Sequence, residues 1–378
     1  MAQKFRFGFL YLDELHHVNH FIPVAVALSQ QHHVEILTFP DDHLYLKKGL
    51  KGLGADKVLV KELRTHPFRA LTDSLKNRNR PRQGFWMKWN RHYLMNNFDA
   101  LVFTSFIHHK ALKFRGENKW PKLLKLPHGI PGRGYVYHND IKDFDLMLIP
   151  GQFYFDQLKN RDLLAKTTKV TGYFKKEAVA NIEPQQLFQN SNPTVLYNPH
   201  FTKGLSSWYD FGREILDFFK KHQEFNLIFA PHINLFNRRG GLDKNEVLED
   251  LASYEHILVD LGSDASVDMV YLNNADIYLG DVSSQSFEFM MKPRPCIFIN
   301  SHNAAYEGNP NYRFWRAGDV IEDVSQLNAA LNSANETFER KYKAIQKELD
   351  SENIYRESGT TASQRAVSQI ETYLKGES

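Results

Sequence analysis

Three hydroxyl groups and a carboxylate stand together where a predicted strand gives way to a predicted helix. Asp281, Ser283, Ser284 and Ser286 follow the apolar run that ends at Leu279. The start of a helix has unpaired backbone N–H groups and a partial positive charge, and such an end binds phosphate readily. The alternative is plain capping of the helix by one serine. Because a cap needs one hydroxyl and the segment offers three, phosphate binding is the favoured interpretation.

Two histidines at predicted strand ends have the chemistry to handle a proton or a phosphate. His128 lies in a glycine-rich loop, and imidazole suits general-base work because its pKa lies near neutrality. A plain loop histidine is an equally open alternative on the residues alone. His232 follows a strand and a proline, where it could donate to a phosphate oxygen or bond to the backbone. Three arginines are available to phosphates: Arg133, Arg238 and Arg239.

Two further patterns resemble metal motifs, and both have a plainer explanation. His16 and His20 have the i, i+4 spacing of a metal pair, with His17 beside them, but no glutamate follows as in HExxH. We favour the start of a helix for this segment. Asp143 and Asp145 mimic a DxD motif but lead directly into a strand, so a turn is predicted. The first strand has no GxGxxG after it and the chain has no GxxxxGK[ST], which argues against Rossmann dehydrogenases and P-loop enzymes.

These candidate residues need a scaffold, and short apolar runs alternating with helical patterns predict one. Helical spacing is seen, for example, in His20–Gln30 and Trp208–Lys221. Such alternation is typical of parallel, doubly wound sheets, which carry ligands at the carboxyl ends of their strands. The predicted strands are Phe7–Leu12, Val34–Thr38, Ala100–Thr104, Lys122–Leu126, Leu146–Pro150, Thr194–Tyr197, Asn226–Ala230, Ile257–Asp260, Asp276–Leu279 and Cys296–Ile299.

Two such series joined by a polar stretch describe an α/β protein of the GT-B architecture. That architecture has two doubly wound parallel-sheet domains, an interdomain cleft and C-terminal helices. We predict an N-terminal α/β domain over residues 1–174, a linker over 175–193, a C-terminal α/β domain over 194–345 and a helical tail over 346–378.

Composition and charge exclude several classes of protein. The 378 residues are 42% hydrophobic and 24% charged, which is ordinary for a soluble globular protein. A net charge of +3 is too small to indicate nucleic acid, but it fits an anionic substrate or contact with an anionic membrane surface. The single cysteine, Cys296, excludes internal disulfides and is expected to be buried. No apolar stretch approaches the roughly 18 residues of a membrane span, so a cytoplasmic location is expected.

One segment is strongly basic. The stretch DSLKNRNRPRQ, Asp73–Gln83, is predicted to be a surface loop in solvent. The alternative is a contact with a polyanionic acceptor or with lipid headgroups.

Taken together, the residues resemble a known family, the CDP-glycerol glycerophosphotransferases, which are teichoic-acid-type polymerases and primases. The resemblance covers about residues 122–300 well, and SSWYDFG and NYRFWRAG look like a Gram-negative branch. It is carried by the segments LPHGIPGRGYVYH, FDLMLIPG, VTGYFK, LYNPHF, LIFAPH, VDLGSDASVDMVYLNNADIYLGDVSSQSFEF and RPCIFIN. It implies a GT-B enzyme that moves glycerol phosphate, or a related alcohol phosphate, from a CDP-alcohol to a hydroxyl of a surface glycan and releases CMP.

The resemblance also implies roles for single residues. His128 corresponds to the histidine proposed as general base on the acceptor hydroxyl, and His232 to a histidine that contacts the diphosphate. Ser283 and Ser284 match paired serines near the phosphates, and Asp281 matches the acid that precedes them. Other residues of the matching segments are expected to bind substrate: Gly129, Arg133, His200, Asp264, Ser266, Ser286 and Glu288.

The implied partners are CDP-glycerol or a similar CDP-alcohol and a glycan or lipid-linked acceptor, without a cofactor, a metal ion or nucleic acid. The acceptor glycan is left open between a teichoic acid, a capsule, a lipopolysaccharide and another surface polymer. The first domain would serve the acceptor and the second the nucleotide donor. A peripheral contact with the inner face of the cell membrane is a further expectation. The alternatives are a GT-B nucleotide-sugar glycosyltransferase, a UDP-sugar 2-epimerase and a non-catalytic binding module.

Overall fold

The computed structural model describes residues 3–182, 185–236 and 244–376, except for the side chain of Tyr135. Arg238 and Arg239, predicted near phosphate, lie outside the described residues. Two compact units divide the chain, and the ranges here refer to their described parts. The first comprises residues 1–129, 137–181 and 352–378, and the second 130–136 and 182–351. The second unit thus includes 130–136, and the first includes the C-terminal helix.

Seven parallel strands form the sheet of the first unit. They are β1 Arg6–Leu10, β2 His33–Thr38, β3 Val58–Glu62, β4 Ala100–Phe103, β5 Lys122–Lys125, β6 Leu146–Ile149 and β7 Thr167–Val170. Their order across the sheet is β3-β2-β1-β4-β5-β6-β7. The α-helices before residue 182 are α1 Val18–Ser29, α2 Leu44–Gly52, α3 Pro67–Ser74, α4 Gln83–Trp89, α5 Arg91–Asn96, α6 His109–Arg115, α7 Gln152–Asn160 and α8 Lys175–Ala178.

Six parallel strands form the sheet of the second unit. They are β8 Thr194–Asn198, β9 Asn226–Phe229, β10 Ile257–Val259, β11 Ile277–Gly280, β12 Cys296–Ile299 and β13 Asp319–Ile321, in the order β10-β9-β8-β11-β12-β13. The remaining helices are α9 Trp208–Lys221, α10 Lys244–Leu251, α11 Asp264–Val267, α12 Val270–Asn274, α13 Ser284–Met290, α14 Leu327–Thr337, α15 Lys343–Asn353 and α16 Ala362–Lys375. A π-helical stretch, Phe338–Tyr342, joins α14 to α15.

Burial explains which strands the sequence predicts. All residues of β4, β6, β9 and β12 are buried, and strands covered on both faces are continuous apolar runs. The ten predicted strands are all present, with ends shifted by at most two residues. The sequence patterns do not predict β3, β7 and β13, which lie at sheet edges and are only partly buried. Partial exposure admits polar residues, and these interrupt the apolar run that would signal a strand.

The C-terminal helix belongs to the first unit. Arg365 on α16 donates through Nε to the carbonyl oxygen of Thr171 at 2.8 Å, and Glu371 Oε1 lies 3.0 Å from His32 Nε2. Residues 354–361 separate α16 from the end of α15. Among the described helices, none combines the length and the apolarity that crossing a membrane requires.

Asp145 shows why the DFD segment is a turn into a strand. Its side chain is buried and accepts hydrogen bonds from Arg115 Nη1, from Lys166 Nζ at 2.8 Å and from the Leu123 N–H at 2.8 Å. Burial opposes ionisation, but the hydrogen bonds from Lys166, Leu123 and Arg115 outweigh it and lower the pKa of Asp145. The carboxylate is therefore occupied in holding the ends of β5 and β6 together.

We expect Asp145→Ala to lower the free energy of unfolding by about 3–5 kcal/mol, because it leaves the buried Arg115 without its partner. Urea unfolding of the variant and the wild type measures the loss. Lys142→Ala is the matched control, since it removes an exposed pair with Asp162 (2.6 Å) in the same unit. That control is expected to lose less than about 1 kcal/mol. Equal losses in the two variants would show that the buried pair carries no special weight.

Candidate active site

The loops after β1, β4 and β5 bring one group of residues together in the first unit. These strands are neighbours in the sheet, so their carboxyl ends lie side by side. His128 follows β5, Thr104 follows β4, and His16 and His17 lie in the segment after β1. The imidazole centroids of His17 and His128 are 4.1 Å apart, and those of His16 and His128 are 5.8 Å apart. The predicted base thus stands in a cluster of imidazoles.

The hydrogen bonds of His128 determine which of its nitrogens can act as a base. Nδ1 lies 2.9 Å from the carbonyl oxygen of Thr104. Because a carbonyl oxygen only accepts, Nδ1 carries the proton and Nε2 holds the lone pair. Gly129 donates its main-chain N–H to Nδ1 of His20 at 3.4 Å, and its φ of +82° suits glycine. The loop therefore presents an imidazole that can take a proton at Nε2.

A buried lysine shares the same carbonyl. Lys125 is 1% exposed, and its Nζ donates to the Thr104 carbonyl oxygen at 2.5 Å. Burial lowers the pKa of Lys125 to about 7, and the nearby Asp13 opposes the shift. Burial, with the positive charge of Lys125, lowers the pKa of His128 to about 4. His128 is therefore uncharged at neutral pH.

Three imidazoles of this cluster have the spacing of a metal site. Ligand nitrogens of His16, His17 and His128 lie within 4.8 Å of one another, which could hold a metal ion. Burial, with repulsion from neighbouring imidazoles, lowers the pKa of His17, and neutral imidazole is the ligating form. His20, which has the i, i+4 spacing from His16, is not in this group of three. Its Nδ1 accepts the main-chain N–H of Gly129. The predicted helix start is observed, as a 3-10 turn that leads into α1.

His200 and His232 form a second group, at the ends of β8 and β9 in the second unit. Each follows a proline, and each Nδ1 accepts a main-chain N–H from two residues on, Thr202 at 3.0 Å and Asn234 at 3.2 Å. The Nε2 atom of each neutral ring then carries the proton and is a donor. The ring centroids are 5.5 Å apart. A repeated local turn thus fixes two imidazoles as hydrogen-bond donors.

Arg133 brings a further donor to His200. Its Nη2 lies 3.3 Å from Nε2 of His200, and both nitrogens carry hydrogens, so neither can accept from the other. Burial, with the positive charge of Arg133, lowers the pKa of His200 to about 2, which keeps the ring neutral. An anion oxygen would accept from both nitrogens at once. The arrangement suits a phosphate group.

Asp281 positions the loop that carries His200. It is 1% exposed, and its Oδ2 accepts the main-chain N–H of His200 at 2.8 Å and of Ser207 at 3.0 Å. Burial raises the pKa of Asp281 to about 7. Asp281 thus fixes the backbone at His200 and Ser207 and also bonds to the Ser207 side chain.

The three serines at the start of α13 contribute to the helix and to a recess beside it. Ser283 is the N-cap, with its Oγ accepting from Gln285 N at 3.2 Å, and Ser286 Oγ donates to the Ser283 carbonyl at 2.6 Å. Ser283 therefore caps the N-terminus of α13, as the alternative interpretation of the sequence expects. Ser283, Ser284 and Ser286 all line a recess that includes Arg133.

Glycine at position 132 lets the chain approach the ring of Phe314 beside this recess. A Cβ atom added to Gly132 would lie 2.6 Å from the Phe314 ring. Gly134 N–H donates to Asn311 Oδ1 at 2.6 Å and holds the same loop. The loop that carries Arg133 is thus tied to the segment 310–317 of the second unit.

Residues 173–372 match the family described as CDP-Glycerol:Poly(glycerophosphate) glycerophosphotransferase. The match spans more than half of the chain. The chain belongs to this family. The family resemblance predicted from the sequence is thereby confirmed, and the protein is a glycerophosphotransferase-type enzyme.

Solved structures similar to this glycerophosphotransferase confirm the GT-B fold. A variant of the wall teichoic acid polymerase TagF, soaked with CDPG, has a TM-score of 0.63 at 12% identity, over 100% of this chain and 90% of that one. UDP-GlcNAc 2-epimerase from Neisseria meningitidis has a TM-score of 0.57 at 14% identity, over 99% and 100%. Sucrose-phosphate synthase from Thermosynechococcus elongatus has a TM-score of 0.56 at 12% identity, over 99% and 100%. No curated protein sequence matches the chain significantly.

The remaining predicted residues of the glycerophosphotransferase have diverse surroundings. Asp264 is exposed at the start of α11, and Glu288 is buried within α13. Ser266 Oγ donates to Asp260 Oδ2 at 3.1 Å. Asp260 also accepts from the main-chain N–H of Ser263 at 2.7 Å, so it organises the loop after β10.

Sequence reasoning missed three groups of the first unit: Lys125, the Thr104 carbonyl and Asp13. A signal for Lys125 was present in the sequence, because this lysine follows two leucines at the end of β5 and lies three residues before His128. Asp13 follows β1 and accepts from Ser105 Oγ at 2.7 Å. The role of a backbone carbonyl leaves no trace in residue types, so Thr104 could be found only from the fold.

We expect Lys125→Met to raise the pKa of His128, because the change removes a positive charge that disfavours the imidazolium. An NMR titration of the histidine ring signals, with His128→Asn to assign its resonance, measures the shift. Lys122→Met is the matched control in the same strand and is expected to leave that pKa in place. A His128 pKa that stays near 4 in the Lys125 variant would assign the whole shift to burial.

Proposed function

We propose that this enzyme transfers glycerol phosphate, or a related alcohol phosphate, from a CDP-alcohol to a hydroxyl of a surface glycan and releases CMP. The observation that carries the proposal is the contact between Arg133 Nη2 and His200 Nε2, two donors 3.3 Å apart in a chain of this family. His232 adds a donor of the same kind. Donors of this kind suit a diphosphate, whose oxygens accept several charge-assisted hydrogen bonds.

In the proposed reaction, Nε2 of His128 takes the proton from the acceptor hydroxyl. The acceptor oxygen forms a bond to the phosphorus that carries the alcohol, and the bond from that phosphorus to the bridging oxygen breaks. CMP leaves with the electron pair of that bond. Arg133, His200 and His232 stabilise charge on the phosphate oxygens, since phosphoryl transfer depends mainly on positioning and charge stabilisation. Asp281 acts through the backbone of His200.

The remaining predicted substrate contacts are part of the proposal. Ser284 faces the recess that contains Arg133, and Ser283 contributes to it beside its capping bond. Gly129, Asp264, Ser266, Ser286 and Glu288 are proposed to shape the substrate surroundings.

The acceptor is proposed to be a glycan or a lipid-linked glycan at the cytoplasmic side of the cell membrane, where the enzyme makes a peripheral contact. The wall teichoic acid polymerase with a similar fold supports a polymer of this class, and its soak with CDPG supports the donor. A capsule or a lipopolysaccharide fits the same chemistry. CDP-glycerol is the first donor to test.

Nucleotide release tests the reaction class. Purified protein is incubated with CDP-glycerol, CDP-ribitol or UDP-N-acetylglucosamine, with and without a cell-envelope fraction. We expect CMP from one CDP-alcohol, and a loss of about 100-fold or more in His128→Ala, the range typical of a general base. His92→Ala, an exposed histidine of the same unit, is the matched control and should keep its rate.

The leaving nucleotide separates the alternatives. UDP released from the sugar nucleotide would indicate a glycosyltransferase, and formation of the manno epimer would indicate a 2-epimerase. Full activity of His128→Ala would show that the base lies elsewhere.

The serine pair tests donor binding separately from catalysis. We expect Ser284→Ala to weaken CDP-glycerol binding by calorimetry, and Ser283→Ala with Ser284→Ala to weaken it further. Ser283→Ala alone should also cost about 1 kcal/mol of stability, because it removes the cap of α13. An unchanged dissociation constant in the double variant would leave the serines with a capping role only.

A further inference from the structure

A second group of histidine and aspartate side chains in the first unit contains no residue of the candidate active site. His109 begins α6, with His108 just before it, and Asp140 lies in a 3-10 segment, Asn139–Asp143, that precedes β6. A nitrogen of each histidine and a carboxylate oxygen of Asp140 lie within 4.8 Å of one another. Two separate loops therefore bring together the kinds of atom that bind metal ions.

A further carboxylate lies beside the same imidazoles. Oδ2 of Asp143 is 2.9 Å from Nε2 of His108 and 3.9 Å from Nδ1 of His109. Oδ2 of Asp140 is 2.7 Å from Nε2 of His109. A carboxylate that is hydrogen-bonded to an imidazole is the usual means by which proteins orient a histidine toward a metal ion. The group thus offers both ligands and a residue that orients one of them.

The two carboxylates have no permanent positive charge opposite them. Within residues 3–182, 185–236 and 244–376, their ion-pair partners are the histidines at positions 108, 109 and 138, with no lysine or arginine among them. A histidine supplies a positive charge only when it is protonated, whereas lysine and arginine are charged at neutral pH. A divalent cation would balance the charges of Asp140 and Asp143 together.

His108 contributes a buried polar atom without a partner. Its side chain is 0% exposed, and its ring centroid lies 4.4 Å from that of His109 and 4.2 Å from that of Phe144. Nε2 pairs with Asp143, but Nδ1 has no hydrogen-bond partner among the described residues. Leaving a buried nitrogen unpaired costs free energy, and an ion is one of the partners that complete such a group.

We propose that His108, His109 and Asp140 bind a divalent transition-metal ion, with Asp143 orienting His108. Imidazole with carboxylate suits zinc and its neighbours, whereas magnesium and calcium prefer oxygen ligands throughout. Zinc bonds of about 2.0–2.2 Å place the ligand atoms of a tetrahedral site about 3.4 Å apart, so shifts of about 1 Å complete this one. The side chain of His109 is 56% exposed and has room for such a shift.

The ion would join the loop after β4 to the segment before β6. These strands are not neighbours, since β5 lies between them in the sheet. Thr104, whose carbonyl oxygen accepts from His128, lies in the first of these loops, four residues before His108. The role proposed for the ion is therefore structural, and the inference does not depend on the proposed reaction. The family resemblance implies a reaction without a metal ion, and this site lies outside that chemistry.

Zinc binding by the full chain, freed of any purification tag and stripped with a chelator, tests the site. Zinc chloride is titrated by calorimetry, and bound zinc is counted by elemental analysis after dialysis. We expect His109→Ala with Asp140→Asn to bind one equivalent less than the wild type, and Asp143→Asn to bind it about 10- to 100-fold more weakly. The buried His108 stays unchanged in these variants, which favours folding. His92→Ala, an exposed histidine of the same unit, is the matched control and should bind as the wild type does.

Melting temperatures provide a second measurement. An ion that binds only the folded protein raises the melting temperature in proportion to its occupancy, so zinc should stabilise the wild type and His92→Ala. The rise should be smaller in His109→Ala with Asp140→Asn. Cobalt in place of zinc should give visible absorption bands in the wild type that are lost in the same double variant.

The imidazole cluster of the candidate active site is the competing place for zinc. His16→Ala alters that cluster and should leave the equivalent assigned to His109 and Asp140 in place. Loss of all bound zinc in His16→Ala, with none lost in His109→Ala with Asp140→Asn, would assign the ion to the other cluster and overturn the proposal. A wild type that binds no zinc would overturn it as well, and would leave these side chains as histidine–aspartate ion pairs.

Discussion

The carbonyl oxygen of Thr104 accepts hydrogen bonds from both Lys125 Nζ and His128 Nδ1, and the chemistry proposed for the first unit depends on that shared acceptor. The bond to Nδ1 selects the tautomer of His128, and the adjacent ammonium disfavours a second proton on the ring. A neutral imidazole with a defined lone pair results. The parallel sheet makes this possible, because it places the ends of β4 and β5 side by side.

In the second unit, the backbone selects the opposite tautomer of the histidine rings. The turns at His200 and His232 supply a main-chain N–H to Nδ1, which turns each Nε2 into a donor. The same residue type therefore presents an unprotonated Nε2 in the first unit and protonated Nε2 atoms in the second. The difference lies in whether a carbonyl or an N–H faces Nδ1, and it is invisible in the residue types.

Sequence patterns predict a large part of this fold, because strands buried on both faces leave continuous apolar runs. They fail at β3, β7 and β13, where exposure at a sheet edge admits polar residues. Candidate residues at strand ends were found because parallel strands carry ligands at their carboxyl ends. The hydrogen-bond partners of single side chains could not be predicted: residue types indicate where Asp281 lies in the chain, but not that its carboxylate accepts the His200 main-chain N–H.

Two features run against the ordinary preferences of folding, and each lies where function is proposed. Burying Lys125 costs solvation, and bringing Arg133 beside a donor nitrogen of His200 costs electrostatic energy. A stable fold tolerates a few such conflicts at functional sites. A phosphate would resolve the second conflict. The first is offset only in part, by the Thr104 carbonyl and Asp13, because the pKa of Lys125 is still lowered to about 7.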